Sequence, residues 1–589
     1  MSKNNSILNS LLSLLVVFVI GYLGIVLIHN IFSNILGNLD SNIKNEYSRY
    51  KIGEYILKEI NDIETNFYKI GVSTKLKSTE PIKDNIEKKV ENIKEAIKVL
   101  ENGGTLKNNI FLNVFEASSV VDEIIFRNDD KRLVFESIDL LPKLEELKLK
   151  VVDIEKIMKI KLLEEEITLA EKEEWDSFKI SLFFKQLPTF FSRMKENASR
   201  LLYDSKKNID ALEKNIKTEI LVIGGGITGA LISDALMDAG YEVTLIDRRD
   251  IGQGSTSATT SMLQYEIDEP LKDLAKKIGE EAAALCYQEG ITAIQDLEQL
   301  VKTKKLNCGF KMKKSLYIAH NKTAAKELYQ EFEIRKKYQL GVKWLEPDAI
   351  KKTYGIVSKG GILSDTAASV DAYQMAHELI AFNVKRGMKV FDQTEIKSIQ
   401  DQGKTPKVIT QENHTINAQK IVFCTGFESL NLLKEKVADL IYTYATVSEL
   451  TQTYNKNLEK ILIWDTQDPY LYMRTTDDGR FLVGGEDSVY KDTILQQNIK
   501  EEKSKTLIKK LKKTLPDLDF IEDISWGGIF GTTKDGLPYI GESPEYKNCL
   551  FCLGFGGNGI TFSAQGRKII VDLLQKKENT LAQYYRFGR

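Results

Sequence analysis

The stretch ILVIGGGITG, from Ile220 to Gly229, decides the fold. Thr218 to Ile223 is a short β-branched run suited to a buried parallel strand. Gly224, Gly226 and Gly229 then form a GxGxxG turn, and ALISDALMDAG, from Ala230 to Gly240, supplies a helix and its stop. Gly224 permits the tight turn, Gly226 lets backbone approach a pyrophosphate, and Gly229 lets helix touch sheet. The helix start at Ile227 and Thr228 offers unpaired N–H groups and the positive end of its dipole to phosphate. Tyr241 to Ile246 reads as the second strand. It ends at Asp247, 18 residues beyond Gly229, where a carboxylate can accept both ribose hydroxyls. Arg248 follows, but Asp247 would repel a 2′-phosphate, so a dinucleotide with a free ribose is expected.

Four further blocks occur in order: GQGSTSATTS from Gly252 to Ser261, KIVFCTG from Lys420 to Gly426, TKDGLPYIG from Thr533 to Gly541, and LGFGGNGI from Leu553 to Ile560. Together with the glycine turn they resemble flavoproteins related to D-amino-acid and glycine oxidases, over nearly two thirds of the chain. The resemblance implies FAD. It also implies an α/β fold: a Rossmann-like (glutathione-reductase-type) FAD-binding domain at 216–270, 351–430 and 521–589, with an inserted antiparallel-sheet substrate domain at 271–350 and 431–520. Ser255, Thr256 and Ser257 would run beside the pyrophosphate, and Thr425 and Gly426 would end the strand that returns to the cofactor. Asp535 and Gly536 would support the ribityl chain or ring edge. Gly556, Gly557, Asn558, Gly559 and Ile560 would set a helix N-terminus near flavin N1 and C2=O, where negative charge appears on reduction. Asn558 either hydrogen-bonds there or only caps the helix.

Alternation around Trp464 to Arg474 and the turn at Asp478–Gly479 reads as two strands of a sheet over the flavin. Tyr470, Tyr472 and Arg474 fall on one face, which makes them the candidate catalytic and pocket residues; the opposing reading packs the tyrosines into the next layer and leaves Arg474 in solvent. Members of this family grip a substrate carboxylate with two arginines, and Phe530 and Gly557 occupy those places here. Phe cannot imitate a guanidinium fork. The expected substrate is a small-molecule amine or amino-acid-like compound, and a simple α-amino acid fits only if Arg474 takes over; a larger, less polar or differently anchored amine is the other reading. The resemblance implies hydride transfer from a C–H next to nitrogen to flavin N5, with dioxygen, a quinone or a carrier as electron acceptor. The alternative from a different class is a non-catalytic flavin-binding scaffold.

The glycine turn begins more than two hundred residues into a chain of 589, so something else comes first, and two to four domains are expected. A formal net charge of -2 gives no support for a nucleic-acid partner. Neither the four His nor the five Cys show a metal-ligand cluster, and the Cys549–Cys552 pair reads as part of a buried strand. Residues 7–32 contain an uncharged run from Leu11 to Ile28, long enough for a membrane helix, and are read as a retained single-pass anchor rather than a cleaved secretory signal. That anchor implies a lipid-bilayer partner and a membrane location, with a slight charge bias toward a cytoplasmic body. Residues 33–215 read as a helical extension, in part a coiled coil, and a possible oligomerisation element. Ile52, Ile56, Ile60, Ile63, Phe67 and Ile70, then Ile86, Val90, Ile93, Ile97 and Leu100, then Leu144, Leu147, Val151, Ile154 and Met158 recur at helical spacing. Phe183, Phe184, Phe190 and Phe191 are read as core, against a membrane-surface alternative.

Overall fold

The computed structural model describes residues 211–589 except 402–404, 451–453 and 492–498, and before them 45, 47–71, 73, 79–111, 119–127, 135–162 and parts of 179–195. The chain divides into two compact units, Met1–Asn208 and Ile209–Arg589.

In the second unit the strand Ile216–Ile223 lies between two parallel neighbours, Val243–Ile246 and Thr415–Phe423. Lys389–Phe391 and Cys549–Leu553 extend the parallel set on its two flanks. Its side chains alternate between two cores: Ile220 and Val222 enter one, Leu221 and Ile223 the other. A strand buried on both faces needs this continuous apolar run. The crossover helix Ile227–Asp238 and the helix Gly559–Leu574 pack into the first core through Leu231, Ile232, Ile569 and Ile570. All five cysteines are free and buried, Cys549 and Cys552 within their strand.

A second sheet runs in the order Glu522–Thr532, Asp439–Leu450, Arg480–Val489, Leu471–Thr475, Ile461–Asp465, Lys311–Ile318, Gly361–Ser369, Met262–Gln264. It is antiparallel except where Ile461–Asp465 pairs in parallel with Lys311–Ile318. The sequence boundaries at 270, 351 and 521 cut through this sheet. It takes Met262–Gln264, Gly361–Ser369 and Glu522–Thr532 from segments expected to serve the cofactor domain. The expected hairpin is present, with Leu471–Thr475 antiparallel to Arg480–Val489.

The first unit holds helices at 47–71, Glu80–Asn102 and Phe135–Leu162, together with an antiparallel pair, Gly104–Phe111 and Ser119–Phe126. The three periodic helical stripes meet in one core with Leu106, Ile124 and Phe126. Phe183, Phe190 and Phe191 are buried there, and Phe184 packs against it. A closed core of this kind replaces the expected coiled coil, and its strand pair carried no helical or alternating pattern strong enough to be read in advance.

The anchor expected at 7–32 lies outside the described residues, and among the described residues no helix is long and apolar enough to cross a membrane. The expectations of a transmembrane anchor, a lipid-bilayer partner and a membrane location are corrected accordingly. The apolar stripes of the described helices face a protein core, as side chains at three-and-four spacing do when a partner helix is available. The cytoplasmic placement of the body was inferred from the anchor and falls with it.

Candidate active site

The turn after Ile216–Ile223 is made by backbone that tolerates no side chain. Gly224 has φ +109°, and a Cβ there would stand 2.4 Å from the Cys424 carbonyl oxygen. A Cβ on Gly229 would stand 1.8 Å from the Gly224 oxygen, so helix and turn touch only because both residues are glycine. Gly226 caps the helix, and the Thr256 hydroxyl accepts the Ile227 N–H at 2.9 Å. The Thr228 hydroxyl meets that of Ser563 at 2.8 Å, fastening the two helices that begin at the site.

Asp247 accepts the Gly225 N–H at 2.6 Å and the Arg249 N–H at 2.9 Å. Burial pushes its carboxyl above the ordinary carboxylate range, against the pull of those two donors. Arg248 and Arg249 both bind Glu428, at 2.6 and 3.0 Å, on the short helix that follows Thr425 and Gly426. Their charge is thereby answered within the wall.

These groups line one end of a cavity of about 1560 Å³. An ordinary small-molecule pocket measures roughly 300–1,000 Å³, so this one has room for a large cofactor and a second molecule. Gly224, Gly226, Ile227, Thr228, Asp247, Arg248, Ser255, Thr256, Thr425 and Gly426 all line it, as do Gly556, Gly557, Asn558, Gly559 and Ile560. Four expected cofactor residues, Gly229, Ser257, Asp535 and Gly536, are not on its wall. The Ser257 hydroxyl turns back to the Gly254 oxygen at 2.9 Å. Asp535 instead receives the Arg589 guanidinium through two bonds, at 2.9 and 3.0 Å, and holds the C-terminal residue beside Gly536.

Asn558 lines the cavity but does not cap the helix with its side chain. Its amide donates to the carbonyls of Gln264 and Glu266, at 3.1 and 2.7 Å, and makes no helix cap. It ties the glycine bend to the segment between strand Met262–Gln264 and Asp268. Asp268 in turn accepts the Gly557 N–H at 2.7 Å, across 289 positions of sequence. Its carboxylate lies 2.5 Å from where a Gly556 Cβ would be and 2.9 Å from where a Gly557 Cβ would be. It is exposed to the cavity, and the protein around it raises its carboxyl above the usual range.

At the opposite end Tyr470 and Tyr472 line the cavity with ring centroids 5.8 Å apart. Tyr472 hydroxyl meets Thr443 at 3.2 Å, and burial raises both phenols, so they remain protonated. Leu471, Met473 and Thr475 alternate into the core behind them. Arg474 is not part of the lining. Its guanidinium donates to the Thr260 carbonyl at 2.7 Å and the Thr475 carbonyl at 3.1 Å. Phe530 and Trp526 continue the wall, with Trp526 Nε1 donating to the Ala258 carbonyl at 2.8 Å.

Sequence reasoning missed Asp268 and Thr443. Each sits in a segment with no motif of its own, and only the fold brings them to the cavity.

The DAO family model, described as FAD dependent oxidoreductase, matches residues 219–573. The chain is 26% identical over 376 residues to glycine oxidase of Bacillus licheniformis, a match covering 60% of this chain and 92% of that relative. It is 22% identical over 376 residues to gamma-glutamylputrescine oxidoreductase of Escherichia coli (strain K12), covering 62% and 85%. The crystal structure of glycine oxidase from Geobacillus kaustophilus matches with a TM-score of 0.53 at 19% identity, over 63% of this chain and 99% of that one. The last likeness concerns the fold alone. With more than half of its length matched, the chain belongs to the DAO family of FAD dependent oxidoreductases. It is an enzyme of that kind, its cofactor is FAD, and the cradle fits: bare glycines, a helix N-terminus and the acid Asp247 line one cavity.

Proposed function

We propose that the enzyme oxidises an amine at the carbon beside nitrogen, in the part of the cavity between Tyr470, Tyr472 and the bend Gly556–Ile560. The observation that carries this reading is the continuity of one cavity from the glycine turn to the two tyrosines. The names of the two relatives, for glycine and for gamma-glutamylputrescine, agree with a nitrogen-bearing substrate.

FAD held in this cavity would supply the two-electron oxidation of the C–H bond beside nitrogen to a C=N bond. The residues of the chain position and shield. Gly224, Gly226 and Gly229 admit the cofactor backbone-first, and the start of helix Gly559–Leu574 directs its dipole at negative charge in the cavity. Tyr470, Tyr472 and Phe530 present ring faces that exclude water from the reacting carbon. Water then hydrolyses the imine to a carbonyl compound and an amine or ammonia, and dioxygen or a quinone takes up the two electrons.

Anaerobic addition of a panel of amines, amino acids and hydroxy acids to the holoenzyme tests the proposal. One amine should bleach the visible band of the oxidised flavin; no bleaching by any member, with FAD retained, would instead favour a non-catalytic scaffold. An aerobic repeat that follows peroxide separates dioxygen from a quinone as acceptor.

A further inference from the structure

We infer that the substrate end of this cavity is built to hold a cation and to reject a carboxylate, with Asp268 as the specificity-determining residue. The inference rests on the amine-oxidation reading and narrows its substrate to amines without a carboxylate beside the reacting carbon.

Asp268 Oδ2 accepts one hydrogen bond, from Gly557 N–H, and Oδ1 is left for a ligand. Among the described residues the hydrogen bond from Gly557 is its one recorded partner, and no ion pair to Lys, Arg or His answers its charge. A carboxylate that faces a cavity with one oxygen unpartnered attracts a cation there. The bare Gly557 leaves it room. A side chain at that position would collide with the carboxylate, so an acid stands in the space from which the resemblance expects an arginine to project.

The surroundings have the same sign. Asp487, whose carboxyl is pushed up by burial and by the negative charge of Asp268, adds a second carboxylate near Tyr470 and Tyr472, and its Oδ1 is buried without a hydrogen-bond partner. Tyr470 and Tyr472 offer ring faces, which attract ammonium groups. Arg474 is turned to the carbonyls of Thr260 and Thr475, and its charge faces Asp477, Asp371 and Asp478; Lys503, which acts on Asp487, is bound to Glu486, and Lys272 donates to the Glu327 carbonyl. Arg248 and Arg249 belong to the other end and are bound to Glu428. An ammonium group therefore meets attraction here from carboxylate and rings together, and an α-carboxylate meets an uncompensated negative charge.

Matched pairs of compounds isolate the carboxylate. Isobutylamine and valine share a skeleton, as do isopentylamine and leucine. Binding to the holoenzyme is measured by calorimetry, with tetramethylammonium as a probe that cannot be oxidised, and bleaching is followed separately. The amines should bind at least roughly tenfold more tightly than their amino acids, and tetramethylammonium should compete with them. Asp268→Asn should weaken cation binding by roughly 10- to 100-fold, the range for a lost charged hydrogen bond, and Asp268→Glu should restore part of it. If Asp268→Asn loses FAD, Asp487→Asn reads the same field near the tyrosines and should weaken tetramethylammonium binding with FAD retained. Tighter binding of valine than of isobutylamine, or cation affinity unchanged in both variants, would overturn the inference. Bleaching by amino acids alone leaves the oxidation proposal standing and sinks this one. Selective cation binding without bleaching by any compound does the reverse.

Discussion

At the end of the cavity bounded by Gly224 and Gly226, with Gly229 packed against Gly224, the wall is backbone, and an added Cβ at any of the three meets a carbonyl or hydroxyl oxygen at 1.8 to 2.8 Å. At the end bounded by Asp268, Tyr470 and Tyr472 the wall is side chain, contributed by segments far apart in the sequence. The first end is intolerant and generic: it admits a pyrophosphate and cannot be altered without closing. The second is tolerant and particular, because each side chain can change without moving the strand beneath it. Family membership is therefore written at one end, and substrate choice at the other.

The side-chain end has a rigid backing whose removal should have the largest effect. Arg335 is fully buried, donates to Glu331 at 2.7 Å, and stands 3.8 Å from Glu266. Glu331 also accepts the Leu271 and Lys272 N–H groups, which fixes the chain just after Asp268. Arg335→Met should cost about 3–5 kcal/mol of unfolding free energy in denaturant melts, since two acids lose the cation between them. A loss under about 1 kcal/mol would show that the backing does not rest on these ions.

The contrast between ends is sharpened by paired changes. Gly229→Ala forces an overlap with the Gly224 carbonyl that backbone cannot relieve, so FAD affinity should fall roughly 100-fold, read as flavin per protein after desalting. Tyr470→Ala should keep its flavin and raise the substrate KM roughly tenfold. Equal loss of flavin in the two variants would break the division drawn above. Thr256→Val acts within the backbone end but removes one acceptor of the Ile227 N–H. It should cost about 1 kcal/mol, seen as a fewfold weaker hold on FAD.

The smallest effect is a pH dependence. Burial, with a lesser push from Asp268 and Glu486, raises the Asp487 carboxyl to about 6, while Thr443 and Lys503 act in the other direction. Above about 6 the group is charged, and below it is neutral. Cation affinity should therefore fall modestly as pH drops through that value, and Asp487→Asn should flatten the step. A step of the same size in the variant would assign it to another group.

The parallel strand, the glycine turn and the helix after it were legible because backbone geometry forces the residue type locally. The same holds for the helical stripes of the first unit, where spacing alone marks the buried face. Tyr470 and Tyr472 were legible for a weaker reason: alternation puts them on one face but cannot say what the face meets. Arg474 shares that alternation and yet spends its guanidinium on two carbonyls. Asp535 and Asn558 lie in motif blocks and still serve the scaffold, because a motif fixes where a residue sits and not which neighbour reaches it first.

The sequence by itself determined a dinucleotide-binding strand and helix, the resemblance that narrowed the dinucleotide to FAD, and a separate helical region before them. Each depends on residues within a few turns of one another. Only the tertiary structure decided the substrate end. The hydrogen bond from Gly557 to Asp268 spans 289 residues, and no local pattern announces a partner at that distance. The charge of the pocket depends on that contact, and so does the amine class proposed for it.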